Sequence, residues 1–379
     1  MIRFSRVINI GAATFLLLGA LCAVLNYSSD NTEIKYSLVG SQEDVGFEGE
    51  NDRSSHDVSS LPRCQQNMNA ANILGFSFLS REIQDFLYYR HCRHFPMILD
   101  LPDKCGSSDE PEDIFLLIVI KSSPKNYERR EVVRKTWAKE RLHRGALIRR
   151  VFISGTSGTG FERERNNKIL ALEHREHNDI LQWDFNESFF NLTLKQMLFL
   201  EWMERRCLHA RFLLNGDDDV FAHTDNMVEY LQSLRHNNTS KHLFTGHLIT
   251  DSNPVRWPRS KYFVPVQVHE SDSYPPYCGG AGYLLSSYTA LVIHIKSMSI
   301  PILPIDDVYM GMCLEAAQLV PESHPGVITF DHMIPSKQED KFDPCYLKQQ
   351  LLIHKFSPID MYVTWHKLHS PRLQCNVTV

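Results

Sequence analysis

From Glu112 onward the apolar and polar positions fall into two alternating patterns. "IFLLIVIKS" is a continuous apolar run, as expected of a strand buried on both faces of a parallel sheet. "YERREVVRKTWAKERL" follows with helical spacing, and "LIRRVFISG" reads as a second strand closed by a glycine-rich turn. "RNNKILALEHREH" is a second helix, "DILQWDF" a third strand, "NLTLKQMLFLEWMERRC" a long amphipathic helix and "ARFLLNG" a fourth strand. This alternation predicts an α/β fold with a mainly parallel central sheet. Such sheets bind ligands beyond the carboxyl ends of their strands. Further on, "KYFVPVQVHESDSYPPYCGGAGYLLS" is broken by prolines and glycines and reads as a ligand-facing region rather than a second nucleotide fold.

The N-terminus has a different pattern. Arg3 and Arg6 precede a nearly uncharged apolar run, Val7 to Leu25. The run is long enough to span a thin bilayer, and the basic residues before it keep the short N-terminus cytosolic. The expectation is a cytosolic tail (1–6), a transmembrane signal anchor (7–25), a disordered acidic stem (26–62) and a luminal domain (63–379). The alternative is a cleaved signal peptide; the run is longer than a usual apolar core of such a peptide and lacks a clean A-x-A site. The stem holds eight acids between Asp30 and Asp57 against Lys35 and Arg53. A small folded region is expected from about Arg63, with Ile83, Phe86 and Leu87 as apolar contacts.

Composition changes this picture little. The chain has 379 residues and a net charge of −5, which argues against a general nucleic-acid binder. Glycosylation triplets at Asn26, Asn186, Asn191, Asn237, Asn238 and Asn376 fit a luminal body. So do eight cysteines beyond Cys22, an even number that suggests disulfides, with no C-x-x-C pair and no zinc-like spacing.

The candidate chemistry begins with "NGDDDVF", where Asp217, Asp218 and Asp219 stand just past an apolar strand. Adjacent carboxylates repel, so they occupy either a solvated turn or a site that collects a hard divalent cation. "DDVYMG" places Asp306 and Asp307 at the start of a helix, either as an N-cap with its neighbour or as a general base. Arg130, Arg134 and Trp137 share one helix face, which is either a solvated basic face or a phosphate contact. "YPPYCGGAGY" offers Tyr277, Gly279 and Gly280, where backbone can approach a ligand closely or simply bend. His354 ends an apolar strand, as a buried structural histidine or a metal ligand. The Walker A, H-E-x-x-H and G-x-S-x-G motifs are absent, and "GTSGTG" is not the dinucleotide-binding order.

Together these segments resemble the Golgi β1,3-glycosyltransferase family, from about Glu112 to Cys375. The family's R-x-x-x-R-x-T-W pattern appears as Arg130, Arg134, Thr136 and Trp137, its D-x-D block as "NGDDDVF", its Y-P-x-Y block as "YPPYCGGAGY" and its acidic helix start as "DDVYMG". Within the family the chain is most similar to the β1,3-N-acetylglucosaminyltransferases, with "PIDDVYMGMCL" and "FDPCYLKQQLLIHKF" resembling the core 1-extending type. The resemblance implies a GT-A-type fold and an inverting transfer of GlcNAc from UDP-GlcNAc to a terminal galactose of a glycoprotein or glycolipid glycan. It implies Mn²⁺ held by Asp219 and His354, nucleotide contacts from Asp217, Asp218, Arg130 and Arg134, and Asp307 as catalytic base. Tyr277, Gly279, Gly280 and Asp306 would face the acceptor. The implied setting is the Golgi membrane, single-pass type II, with a homo-oligomer left open. The alternatives are a β1,3-galactosyltransferase using UDP-Gal and a catalytically silent luminal glycan-binding protein.

Overall fold

The computed structural model describes residues 64–107, 110, 112–237, 241–335 and 340–375. The expected tail, anchor and stem lie outside the described residues. Among those described, no helix is long and apolar enough to cross a membrane.

The first helix, α1 (Arg81–Tyr89), is capped by Ser80, whose Oγ accepts from the Ile83 amide. Ile83, Phe86 and Leu87 are buried against Phe190, Phe263 and Ile302. A Cys64–Cys92 disulfide closes this corner. β1 (Met97–Leu99) and β2 (Ile114–Lys121) follow, and β2 is buried at every position. Helix α2 (Tyr127–Lys135) is shorter than its spacing predicts. At Thr136 the backbone leaves the helical region (φ −115°, ψ −117°), and the hydroxyl donates to the Val132 carbonyl at 2.6 Å. Arg141–His143 becomes strand β3, joined to β4 (Ala146–Thr156) by a tight turn with Arg144 and Gly145 at φ 47° and 77°. Next come α3 (Gly160–His177), β5 (Ile180–Asn186), α4 (Leu192–Arg206) and β6 (Phe212–Asp217). Helix α4 is not amphipathic: Thr193 to Leu200 are all buried.

The remaining elements are β7 (Val220–Ala222), α5 (Thr224–Asn237), β8 (Phe244–Gly246), β9 (Leu248–Ile249), β10 (Tyr277–Cys278), β11 (Gly282–Ser286), α6 (Ser287–Ser297), α7 (Asp306–Ala316), β12 (Glu322–Ser323), β13 (Val327–Ile328), α8 (Pro344–Leu347), β14 (Leu352–His354) and α9 (Pro358–Leu368). The main sheet has the order β1-β5-β4-β2-β6-β11-β8-β12, with β3 added on β4. Its centre, β5-β4-β2-β6, is parallel. The flanks β1, β11 and β8 are antiparallel to their inner neighbours, so the sheet is mixed rather than mainly parallel. β11 is antiparallel because the chain enters it at the carboxyl end of β6, where Gly282 pairs with Gly216. That entry places Gly279–Ala281 beside the aspartate triplet.

One face of the sheet packs on α4, α6 and α7, and the other on α2, α9 and a second sheet, β13-β14-β7. Cys105–Cys207 and Cys345–Cys375 are also disulfides, while Cys278 and Cys313 are buried free thiols.

Candidate active site

β2 and β6 run in parallel and end together, with Lys121 opposite Asp217. Lys121 Nζ lies 3.1 Å from Asp217 Oδ1 and 2.8 Å from Asp306 Oδ2, and it donates to the Gly280 carbonyl at 3.1 Å. Burial opposes its charge, but the two carboxylates outweigh burial and raise its pKa well above the ordinary lysine value.

Asp218 turns inward. It accepts from Ser122 Oγ at 2.7 Å, Asn126 Nδ2 at 2.8 Å and an Arg129 guanidinium nitrogen at 3.0 Å, and it is only 4% exposed. It therefore anchors the start of α2, where the resemblance implied a nucleotide contact. Asp219 shares Arg129 with Asp218 and reaches on to His354. Its Oδ1 is 3.3 Å from His354 Nε2, and its Oδ2 is 3.3 Å from Arg129.

His354 arrives from far along the chain. β14 pairs antiparallel with β7, which sets His354 opposite Val220, the residue after Asp219. Its Nδ1 donates to the Thr329 carbonyl at 3.3 Å, which leaves the Nε2 lone pair directed at the carboxylates in the neutral ring. Ligand atoms of Asp217, Asp219 and His354 all lie within 4.8 Å of one another. Burial, with Asp306 and Asp219 adding to it, pushes Asp217 up to about 6 against the pull of Lys121. Burial opposes the charge of Asp219 as well, but His354 and Arg129 outweigh it and hold that carboxyl below the usual carboxylate range. Two carboxylates and one imidazole nitrogen converging at this distance fit a divalent cation of the Mn²⁺ kind. Asp217 thus joins the candidate metal set, where sequence placed only Asp219 and His354.

Asp307 sits in the first turn of α7. Its Oδ2 accepts from the Gly280 amide at 3.0 Å and its Oδ1 from its neighbour Val308 at 2.8 Å. Burial, and then the adjacent Asp306 charge, push it from its ordinary 3.8 to about 7. The close approach of α7 to the glycine loop depends on Gly311: a Cβ there would lie 2.8 Å from both the Pro276 carbonyl and Tyr277 Cβ. Gly279 donates to the His247 carbonyl at 2.9 Å, and Tyr277 is half-buried at the edge.

Three expected site residues sit elsewhere. Arg130 is fully buried and forks onto Glu173, with both bonds at 2.7 Å. Arg134 forks onto Asp179 at 2.8 Å for both bonds and also meets Glu173 at 2.6 Å. Their donors are spent inside the protein, so neither reaches a nucleotide. Asp306 is 6% exposed and tied to Lys121, so it does not face an acceptor. The arginine that does open on the site is Arg129, one residue earlier. A cleft of about 380 Å³ runs past Lys121, Asn126, Arg129, Ser188, Lys195 and the triplet. Sequence reasoning missed Lys121, Ser122, Asn126 and Arg129. The one legible sign was a lysine closing an otherwise wholly apolar run.

A model of the galactosyltransferase family matches residues 128–325. The human N-acetyllactosaminide beta-1,3-N-acetylglucosaminyltransferase 3 is 49% identical over 313 residues, covering 82% of each chain. The human acetylgalactosaminyl-O-glycosyl-glycoprotein beta-1,3-N-acetylglucosaminyltransferase is 48% identical over 317 residues, 83% of this chain and 81% of the relative. The Mus musculus UDP-GlcNAc:betaGal beta-1,3-N-acetylglucosaminyltransferase 7 is 39% identical over 319 residues, 83% of this chain and 78% of the relative.

Proposed function

The chain belongs to the galactosyltransferase family, among its β1,3-N-acetylglucosaminyltransferases, and on that premise we propose that it transfers GlcNAc from UDP-GlcNAc to the 3-hydroxyl of a terminal galactose. One observation carries the reading. Lys121 ties a candidate cation site, Asp217–Asp219–His354, to Asp306 and the Gly280 carbonyl, and the Gly280 amide in turn orients the next carboxylate, Asp307, whose pKa lies near neutrality.

Each side has a distinct task. Asp217, Asp219 and His354 would hold Mn²⁺ against the donor diphosphate, with Arg129 beside them. When bound, the cation neutralises the charge that grows on the departing UDP. Asp307 accepts the proton of the galactose hydroxyl as that oxygen attacks the sugar carbon. Both of its oxygens are oriented by backbone amides, and each keeps a lone pair for that hydroxyl. Lys121 holds Asp306 and Asp217 in place at 2.8 Å and 3.1 Å, while Asp307, bonded by backbone amides, is turned toward the acceptor side. Attack from the side opposite UDP inverts the anomeric carbon, giving a β1,3 linkage.

The reading includes a type II position in the Golgi membrane, supported by the apolar run 7–25 behind Arg3 and Arg6 and by the luminal glycosylation triplets. The test is to incubate the purified chain with Mn²⁺, a panel of UDP-sugars, and core 1 or N-acetyllactosamine acceptors. A β1,3-linked GlcNAc product is expected. Consumption of UDP-Gal instead would move the donor assignment. UDP binding without transfer of any sugar would mark a silent relative.

A further inference from the structure

Beyond the donor cleft, an aromatic side chain lies on the loop after β13, next to residues that support both His354 and the glycine loop. β13 pairs in parallel with β14, Ile328 beside Ile353, so the chain leaving β13 passes His354. Thr329 is 4% exposed there, and its carbonyl holds His354 Nδ1. The next residue, Phe330, is 42% exposed. Its ring meets His247 edge-on, with centroids 5.4 Å apart at 85°, and lies nearly parallel to the exposed ring of His332 at 5.4 Å and 12°. His247 in turn accepts through its carbonyl from Gly279, next to the Gly280 amide that orients Asp307. Phe330 is thus linked to the base through His247, Gly279 and Gly280 on one side, and it follows Thr329, the support of the metal-side histidine, on the other.

The exposed part of the Phe330 ring offers a flat apolar face to a ligand held at Asp307. The occupant must also bring a hydroxyl to Asp307. A terminal β-galactose meets both demands. Its axial 4-hydroxyl leaves one face of the pyranose as a continuous patch of C–H groups, while the 3-hydroxyl projects from the rim. We propose that Phe330, extended by His332, is the platform on which the acceptor galactose stacks, and that it helps select galactose over sugars with an equatorial 4-hydroxyl. The inference rests on the transfer reading above and adds the residue that reads the acceptor.

The test replaces Phe330 in the full chain by Ala, Leu and Trp. Phe330→Ala should raise the acceptor KM about tenfold, the loss of one aromatic stacking contact, with kcat far less changed. It should also narrow the preference for a galactose-terminated over a glucose-terminated acceptor. Phe330→Trp should restore both, and Phe330→Leu, apolar but not flat, should not. UDP affinity in Mn²⁺, measured by calorimetry, and the melting temperature should stay at wild-type values. An unchanged acceptor KM in Phe330→Ala overturns the proposal. So does full rescue by Leu, or a parallel loss of UDP affinity, since either makes the ring a support for its neighbours. Wild-type protein that transfers nothing to galactose acceptors would instead sink the transfer reading itself.

Discussion

Lys121 bridges Asp306 and Asp217 with a single ammonium, at 2.8 Å and 3.1 Å. The strand end that carries it and the helix start that carries Asp306 lie 185 residues apart in sequence. Removing the cation leaves the buried Asp306 unpaired, a change that costs roughly 3–5 kcal/mol. Lys121→Met should therefore lower the melting temperature, and it should cut kcat/KM by more than about a hundredfold, because the preorganised charge between the two half-sites is lost. Asp306→Asn keeps a hydrogen-bond acceptor for Lys121 and should be the milder change on both measures. Equal activity of Lys121→Met and wild type would remove Lys121 from the site.

Asp307 gives the pH dependence. Only its ionised form can take a proton, so kcat/KM should rise with pH along a limb centred near 7. Asp307→Asn should abolish transfer and keep UDP–Mn²⁺ binding. Stability runs the other way. The folded-state value is raised, so the fold favours the protonated acid, and that contribution is lost as pH rises toward and through 7. Asp307→Asn should therefore melt higher than wild type at pH 8 and close to it at pH 4. A wild-type profile flat between pH 5 and 8 would count against Asp307 as the base.

His354 reaches Asp219 only because β14 pairs with β7 in one register. A one-residue slip would turn its ring to the opposite face. His354→Ala should weaken Mn²⁺ binding, read by calorimetry with UDP present, by about 10- to 100-fold. Chelation should abolish transfer in wild type, and excess Mn²⁺ should recover part of the variant's activity. Unaltered Mn²⁺ affinity in the variant would return His354 to a structural place beside Thr329.

These cases separate what local sequence can carry from what it cannot. β2 and β6 are buried on both faces, and a strand of that kind announces itself as an unbroken apolar run. The end of α2 does not, because Thr136 stops the helix by bonding back to Val132 within a stretch whose spacing stays helical. The acidic pair on α7 was legible as a pair. Successive helix residues point about 100° apart, so one turns to Lys121 and the other to Gly280, and only the packing partners say which. Cys278 and Cys313 belong to an even set of eight, yet the fold leaves both buried and unpaired. The candidate metal set could not be assembled from spacing at all, since its third member lies on another sheet.

Adjacent arginines make the sharpest contrast. Arg130 is fully enclosed, forked onto Glu173 and bonded at 3.0 Å to Ser122, which itself holds Asp218. Arg129 opens on the cleft and spans Asp218 and Asp219. Arg130→Leu takes from the buried Glu173 carboxylate its bidentate partner, leaving Arg134 to hold it, and should cost roughly 3 kcal/mol of stability, seen as a fall in melting temperature. Arg129→Ala should leave the melting temperature within a few degrees of wild type and raise the KM for UDP-GlcNAc by about tenfold, the worth of one charge-assisted hydrogen bond. Measuring both variants side by side decides which arginine serves the nucleotide. A raised donor KM in Arg130→Leu at unchanged stability, with Arg129→Ala silent, would reverse the assignment and restore the phosphate-facing place that helical spacing alone suggested for Arg130.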